Sequence, residues 1–100
     1  MQLNFDYELK ALDGKKITKA SKLVSDLLMG QNKGDAIKMY DWALDIYKNG
    51  KVNVDNSDYD TLYALINSSE NLFVIAKGQI LASMKKQKNQ EETRAQKKKK

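Results

Sequence analysis

Only about the first 84 of this chain's 100 residues can build a hydrophobic core, because the last 16 are almost all polar or charged. A chain of that size supports one small domain, since dividing it would leave neither half enough buried apolar surface. We therefore predict a single globular domain over residues 1–84. Residues 85–100 are predicted to form a basic tail that is disordered or a frayed helix.

The positive charge of the chain is concentrated in this tail. Residues 85–100 contain eight basic and two acidic residues, whereas residues 1–84 contain ten basic and eleven acidic residues. Such a tail is typical of a solvated arm, and it also fits an arm that binds nucleic acid through salt-sensitive charge contacts. The basic residues that would make those contacts are Lys85, Lys86, Lys88, Arg94, Lys97, Lys98, Lys99 and Lys100.

Several kinds of chemistry are disfavoured by the residue types that the chain lacks. It contains no His, which is the usual general base, and no Cys, so it has no thiolate nucleophile and no disulfide. The paired carboxylates of Asp41 and Asp45 and the acidic run over residues 55–60 are typical of solvated helix faces and helix starts. We therefore predict that the protein is not an enzyme and binds no metal or cofactor.

The N-terminal residues and the apolar runs indicate a cytoplasmic protein. The first residues lack the basic region and the apolar stretch of a signal peptide. The longest apolar run, residues 72–76, is much too short to cross a bilayer. We accordingly expect no membrane partner.

The first 20 residues predict a β-hairpin. Apolar and polar residues alternate from residue 2 to residue 12, which is typical of one half-buried strand. Asp13 and Gly14 then predict a tight turn, followed by a return strand around residues 16–18. Because an isolated two-stranded hairpin is marginal in water, we expect this one to pack on helices.

Helical periodicity predicts about four short helices after the hairpin, so that the fold class is α+β and mostly helical. The first three helices span residues 22–29, 35–48 and 57–67, and the fourth begins at residue 70. Residues 51–55, between the second and third helices, fit a short strand or a linker. We expect Ser21 to cap the first helix. The second has an apolar stripe that we expect to face the core, formed by Ile37, Tyr40, Leu44 and Tyr47.

Aromatic residues are concentrated on the two middle helices. Tyr40 and Tyr47 lie on the apolar stripe of the second helix, so we predict that both are core residues. A domain of about 84 residues cannot bury every ring. We therefore take Trp42, Tyr59 and Tyr63 as candidate exposed anchors for binding another protein, since Trp and Tyr are enriched in binding hot spots.

Three parts of the sequence suggest a family. They are FDYELKALDGK at residues 5–15, GDAIKMYDWAL at residues 34–44, and SENL with AKGQ at residues 69–72 and 76–79. Together they resemble short accessory proteins of tailed phages and prophages. The resemblance implies a phage accessory protein without catalytic residues, in a group that includes tail-assembly chaperones, which hold the tape-measure protein during tail building.

Three functional hypotheses remain open. In the first, the chain is an adaptor or assembly factor that binds another protein through helix faces. In the second, it is a nucleic-acid-binding accessory or regulatory protein that uses its tail. A helix-turn-helix is not convincing, because the helix at residues 22–29 is short and the helix at residues 35–48 is too acidic to enter a DNA groove comfortably. In the third, it inhibits a host defence protein. Such inhibitors typically present an acidic surface to a nucleic-acid channel, and residues 1–84 are not strongly acidic. We expect a monomer or a small homo-oligomer.

Overall fold

A computed structural model of the chain describes residues 1–31, 34–70 and 72–98. The α+β class, the hairpin and the four helices predicted from the sequence are confirmed within these residues. The last helix is 25 residues long and continues through the basic segment, so it is not one of four short ones. The elements are β1 (Gln2–Asn4), β2 (Glu8–Lys10), β3 (Lys16–Lys19), α1 (Ala20–Met29), α2 (Ala36–Asn49), β4 (Lys51–Asn53), α3 (Asn56–Asn67) and α4 (Val74–Lys98).

The single N-terminal strand predicted from the sequence is two strands in two sheets. β1 pairs antiparallel with β4, far along the chain, whereas β2 pairs antiparallel with β3 in the predicted hairpin. Between β1 and β2, the carbonyls of Phe5 and Tyr7 accept hydrogen bonds of 2.9 Å from the N–H groups of Ser21 and Ala20. The prediction of one strand was wrong because these carbonyls instead satisfy amides at the start of α1, which have no partner within the helix.

The helices begin in two different ways. α1 starts at Ala20 after Lys19 and has no side-chain cap, and Ser21, the predicted cap, is buried in the first turn. That prediction was wrong because the backbone before α1 does the capping. In α2 and α3, Asp35 and Asp55 are the caps, and each carboxylate accepts a hydrogen bond from the amide three residues later, at 3.1 Å and 2.7 Å.

One hydrophobic core lies between the helices and the inner faces of the two small sheets. The central residues of β1 and β4 point inward, as the pleat requires, and α2 packs against β4. The large side chains that are completely buried come from all four helices, both sheets and the segment between β1 and β2; they are Leu3, Phe5, Leu9, Val24, Ile46, Leu62, Ile66, Ile80 and Met84.

α2 turns a different stripe toward the core from the one predicted. Ile37, Tyr40 and Tyr47 are exposed, so the prediction that the two tyrosines are core residues was wrong. The buried stripe contains the single Trp of the chain, whereas the predicted stripe would bury two phenol hydroxyls that each need a hydrogen-bond partner. The buried residues of α2 are Met39, Trp42, Ala43 and Ile46.

Two glutamine side chains hold the N-terminal strands along α4. The Gln87 amide accepts a hydrogen bond from the Asn4 N–H at 2.7 Å and donates one to the Asn4 carbonyl at 2.9 Å. The Gln79 amide makes the same pair with Lys10, at 3.1 Å and 2.7 Å. Each side-chain amide therefore takes the place of a neighbouring strand at an edge of β1 or β2. Contacts with the strands consequently continue along α4 past Met84, as far as Gln87.

Candidate protein-binding face

An exposed apolar surface lies along α1 and α2. Its side chains come from the last residue of α1 and from the outward stripe of α2, and four of the five are at least half exposed. We call this surface the α1–α2 face. It consists of Met29 (58% exposed), Ile37 (77%), Tyr40 (51%), Tyr47 (69%) and the half-buried Leu44.

Two shallow depressions lie in this face and meet at Met29. One, of about 370 Å³, runs from Met29 to Tyr40 beside the start of α2. The other, of about 240 Å³, lies between Met29, Leu44 and Tyr47. The face is therefore a surface with concave parts, into which apolar side chains of another molecule can insert.

Acidic residues border the face. Asp26 lies on α1 beside the second depression and forms an ion pair of 3.4 Å with Lys22. Asp41 and Asp45 are exposed on α2, and neither forms an ion pair with any residue that the structure describes. The two carboxylates follow Ile37 at helical spacing, so they lie along one side of the apolar stripe.

α2 also carries two basic residues, Lys38 and Lys48. Lys38 forms a 2.6 Å ion pair with Asp58 of α3, and this hydrogen-bonded partner raises the pKa of the Lys38 ammonium. Lys48 lies in the last turn of α2, where it complements the negative end of the helix dipole. Lys48 and Lys22 also line a depression with Tyr47, so the border at that end of the face carries positive charge as well. The carboxylates of Asp41 and Asp45 have no ion pair among the described residues, so they remain available to a partner.

The three aromatic residues predicted as exposed anchors are not part of this face. Trp42 is 7% exposed and Tyr59 is 4% exposed, so neither can be an exposed anchor; Tyr63 is half-buried. The rings that are exposed, Tyr40 and Tyr47, are those that the sequence pattern assigned to the core. The signal that could have indicated this is that α2 has more apolar positions than one buried stripe can hold.

Tyr59 and Tyr63 instead hold two lysines of the basic segment against α3. The two rings stack with a centroid separation of 6.0 Å. Lys88 Nζ lies 4.7 Å from the Tyr59 ring centroid and Lys85 Nζ lies 5.7 Å from that of Tyr63. Lys88 Nζ is also 3.8 Å from the Asp60 carboxylate. Burial raises the pKa of the Tyr59 hydroxyl.

The rest of the predicted nucleic-acid-binding set lies farther along the basic segment. Lys86 is exposed, and Arg94, Lys97 and Lys98 belong to the last turns of α4. Lys99 and Lys100 lie outside the described residues. From residue 85 to residue 98 the helix spans about 20 Å, so these positions form an extended arm and not one compact site.

Comparison of the chain with known proteins gives no match on which a family could be based. No protein-family model matches it, and no curated protein or solved structure gives a significant match. Across the described ranges, no helix has both the length and the apolar character needed to span a membrane. The same residues contain no cluster of three acidic side chains arranged to hold a metal ion.

Proposed function

We propose that this chain is a non-enzymatic accessory protein that acts by binding another protein through the α1–α2 face. The observation that supports this is the exposure of Met29, Ile37, Tyr40 and Tyr47 on a domain that already has a complete core. A contiguous apolar patch on the surface of a small domain is typical of an interaction site, because leaving it in water is unfavourable.

The composition of the face suits protein binding. Tyrosine presents a large, rigid ring and a hydroxyl that can hydrogen-bond at the edge of an interface, and it is enriched among binding hot spots. Met29 is flexible and polarizable, so it can adapt its shape to a partner. A central apolar stripe bordered by charged residues also follows the usual arrangement of an interface, with an apolar middle and a polar rim.

The proposal includes an origin and a setting. We propose a phage or prophage protein that works in the cytoplasm of the bacterial host as an adaptor or assembly factor, with tail assembly as one example. This rests on the resemblance of residues 5–15, 34–44, 69–72 and 76–79 to phage accessory proteins. Residues 34–44 also contribute Ile37, Tyr40 and Leu44 to the face.

The test is partner capture by matched variants of the full chain. The Ile37→Ala/Tyr40→Ala double variant removes exposed apolar surface from α2 while keeping residues that favour a helix. Leu12→Ala is the control, because Leu12 is fully exposed on the hairpin loop and lies outside the face. Each tagged chain is used to capture proteins from cells in which the gene is naturally expressed.

We expect the wild-type chain and the Leu12→Ala control to retain the same partner, and the double variant to lose it. Circular dichroism should show equal helix content in all three chains, since none of the changed side chains is buried. If the double variant retains every protein that the wild type retains, the α1–α2 face is not the binding surface and the proposal is wrong.

A further inference from the structure

We infer that the α1–α2 face binds an amphipathic helix whose apolar stripe is flanked by basic residues. This inference rests on the proposed function and specifies the partner's chemistry. It follows from three features of the described residues: the length of the apolar stripe, the sign of the charges beside it, and the composition of the chain's own tail.

The stripe has the dimensions of a helix-binding surface. From Ile37 to Tyr47 it extends over ten residues of α2, or about 15 Å, which is close to three helical turns. The depressions on either side of Met29 lie between α1 and α2 along this length. Helices that bind in such grooves insert side chains spaced at three, four and seven residues, and three such anchors span this stripe.

The charges beside the stripe select a basic partner. Asp41 and Asp45 have no ion pair among the described residues, and Asp26 shares only an exposed contact with Lys22. Lys22 and Lys48 lie at the Tyr47 end of the stripe, so the acidic part of the border is the part beside Asp41 and Asp45. Lysine or arginine side chains on that flank of a bound helix would lie close to these two carboxylates. Complementary charge of this kind raises the association rate and disfavours acidic competitors.

Two other occupants fit less well. The chain's own residues 85–100 contain no Leu, Ile, Val, Met, Phe, Tyr or Trp, so they have the required charge but no anchors for the groove. In a two-fold dimer the second copy presents the same mixed border, with Lys22 and Lys48 only at the Tyr47 end, and so lacks basic residues along its whole stripe. A separate helix that has both anchors and basic residues avoids both problems.

Three synthetic peptides of about 15 residues test the inference, a length that matches the stripe. The first has leucines at helical spacing and lysines elsewhere. The second has the same leucines with glutamates, and the third has the leucine and lysine composition of the first in strict alternation, which does not give an apolar helix face. Binding of labelled peptide to the full chain is followed by fluorescence anisotropy.

Charge variants make the test specific. Asp41→Lys reverses a charge beside the stripe, and Asp60→Lys is the matched control, because Asp60 is an exposed carboxylate on α3. We expect the helical leucine–lysine peptide to bind best to the wild type. Asp41→Lys should weaken it by about fivefold and strengthen the leucine–glutamate peptide, whereas Asp60→Lys should change neither.

The outcomes separate this inference from the proposed function. If both helical peptides bind equally and Asp41→Lys changes the binding of neither, the charge selection is wrong. Loss of binding of both peptides in the Ile37→Ala/Tyr40→Ala variant would still support the α1–α2 face as the binding surface. Equal binding of the alternating peptide overturns the helical geometry. Absence of binding by all three peptides overturns the inference as a whole, while partner capture by the full chain tests the proposed function independently.

Discussion

At the scale of single residues, Gly50 illustrates how local backbone and tertiary packing act together. It ends α2 with a φ of 71°, a conformation that favours glycine, and its carbonyl accepts a 2.7 Å hydrogen bond from the Phe5 N–H. A Cβ placed there would lie 2.6 Å from the Cβ of Asp6. The same position therefore reverses the chain and lets residues 5 and 6 pass close to it.

Gly50→Ala should therefore destabilise the fold more than an alanine at another positive-φ glycine. We expect a loss of about 2–4 kcal/mol in the free energy of unfolding, from left-handed strain and the contact with Asp6. Gly14→Ala is the control, since Gly14 has a φ of 86° but a Cβ placed there would meet no atom within 4 Å. Urea unfolding measures both, and equal losses would contradict the role assigned to the contact with Asp6.

Tyr7 is a second residue whose surroundings predict a measurable effect. Burial raises the pKa of its hydroxyl above the usual 10.0, and the nearby Ser83 side chain opposes this by a smaller amount. Because the folded protein keeps the proton more tightly than the unfolded chain, the stability from this group is complete below about pH 10 and is lost as the pH rises further. Tyr59, whose pKa is also raised, contributes in the same direction.

Tyr7→Phe should reduce this alkaline loss. The hydroxyl is buried without a hydrogen bond of normal geometry, so its removal should cost little at neutral pH. Urea midpoints of the two chains should be similar at about pH 8, and the wild type should lose more stability than the variant by about pH 11. Equal losses would show that the Tyr7 hydroxyl does not titrate differently in the two states.

At the scale of elements, α4 is long because it does more than cover the core. Its large apolar residues end at Met84, but Gln87 continues the contact with β1 and Lys88 continues the contact with α3. The residues that follow are mostly Gln, Glu, Lys, Arg and Ala, which favour helix. Anchored at these side chains, the helix continues to Lys98.

Gln87→Glu tests whether the side-chain amide holds β1. Glutamate has nearly the same shape, but it presents an acceptor to the Asn4 carbonyl where the amide donates a 2.9 Å hydrogen bond. We expect a loss of about 1–2 kcal/mol in the free energy of unfolding, measured by urea unfolding, because the Asn4 carbonyl loses its donor and faces a second acceptor instead. Gln90→Glu, an exposed position on the same helix, is the control. Equal effects of the two substitutions would mean that charge on α4, not the hydrogen-bond pair, is responsible.

At the scale of the whole molecule, charge is separated along the chain. Acidic side chains border the α1–α2 face, while the excess positive charge lies in residues 85–100. Because Lys85 and Lys88 contact the rings of α3, the part of the tail beyond Glu92 supplies most of the remaining basic residues. Contacts between such an arm and nucleic acid would be nonspecific and screened by salt.

Duplex DNA should therefore bind weakly, at low salt only, and through the end of the tail. A chain ending after Glu92 keeps Gln87 and Lys88, so it preserves the contacts of α4 with the body and is a cleaner comparison than a chain ending at Met84. We expect this truncated chain to lose DNA binding with unchanged unfolding stability. Binding that persists at physiological salt, or that depends on DNA sequence, would instead favour a nucleic-acid-binding function.

The sequence by itself determined which segments are helices and where the hairpin lies. These follow from apolar spacing and from the turn residues Asp13 and Gly14, both of which act between near neighbours in the chain. The pairing of β1 with β4 could not be read in this way, because it joins residues about 50 positions apart and depends on what else fills the space between them.

Only the tertiary structure decided which side of α2 faces the core, and hence where the candidate site lies. Two apolar stripes with the same helical period compete on this helix, and periodicity does not distinguish them. Packing against α1 and β4 buries the stripe with Trp42 and leaves Tyr40 and Tyr47 in solvent. The physical reason is that burial depends on the volume and hydrogen-bond partners that other elements offer, and these are properties of the assembled fold.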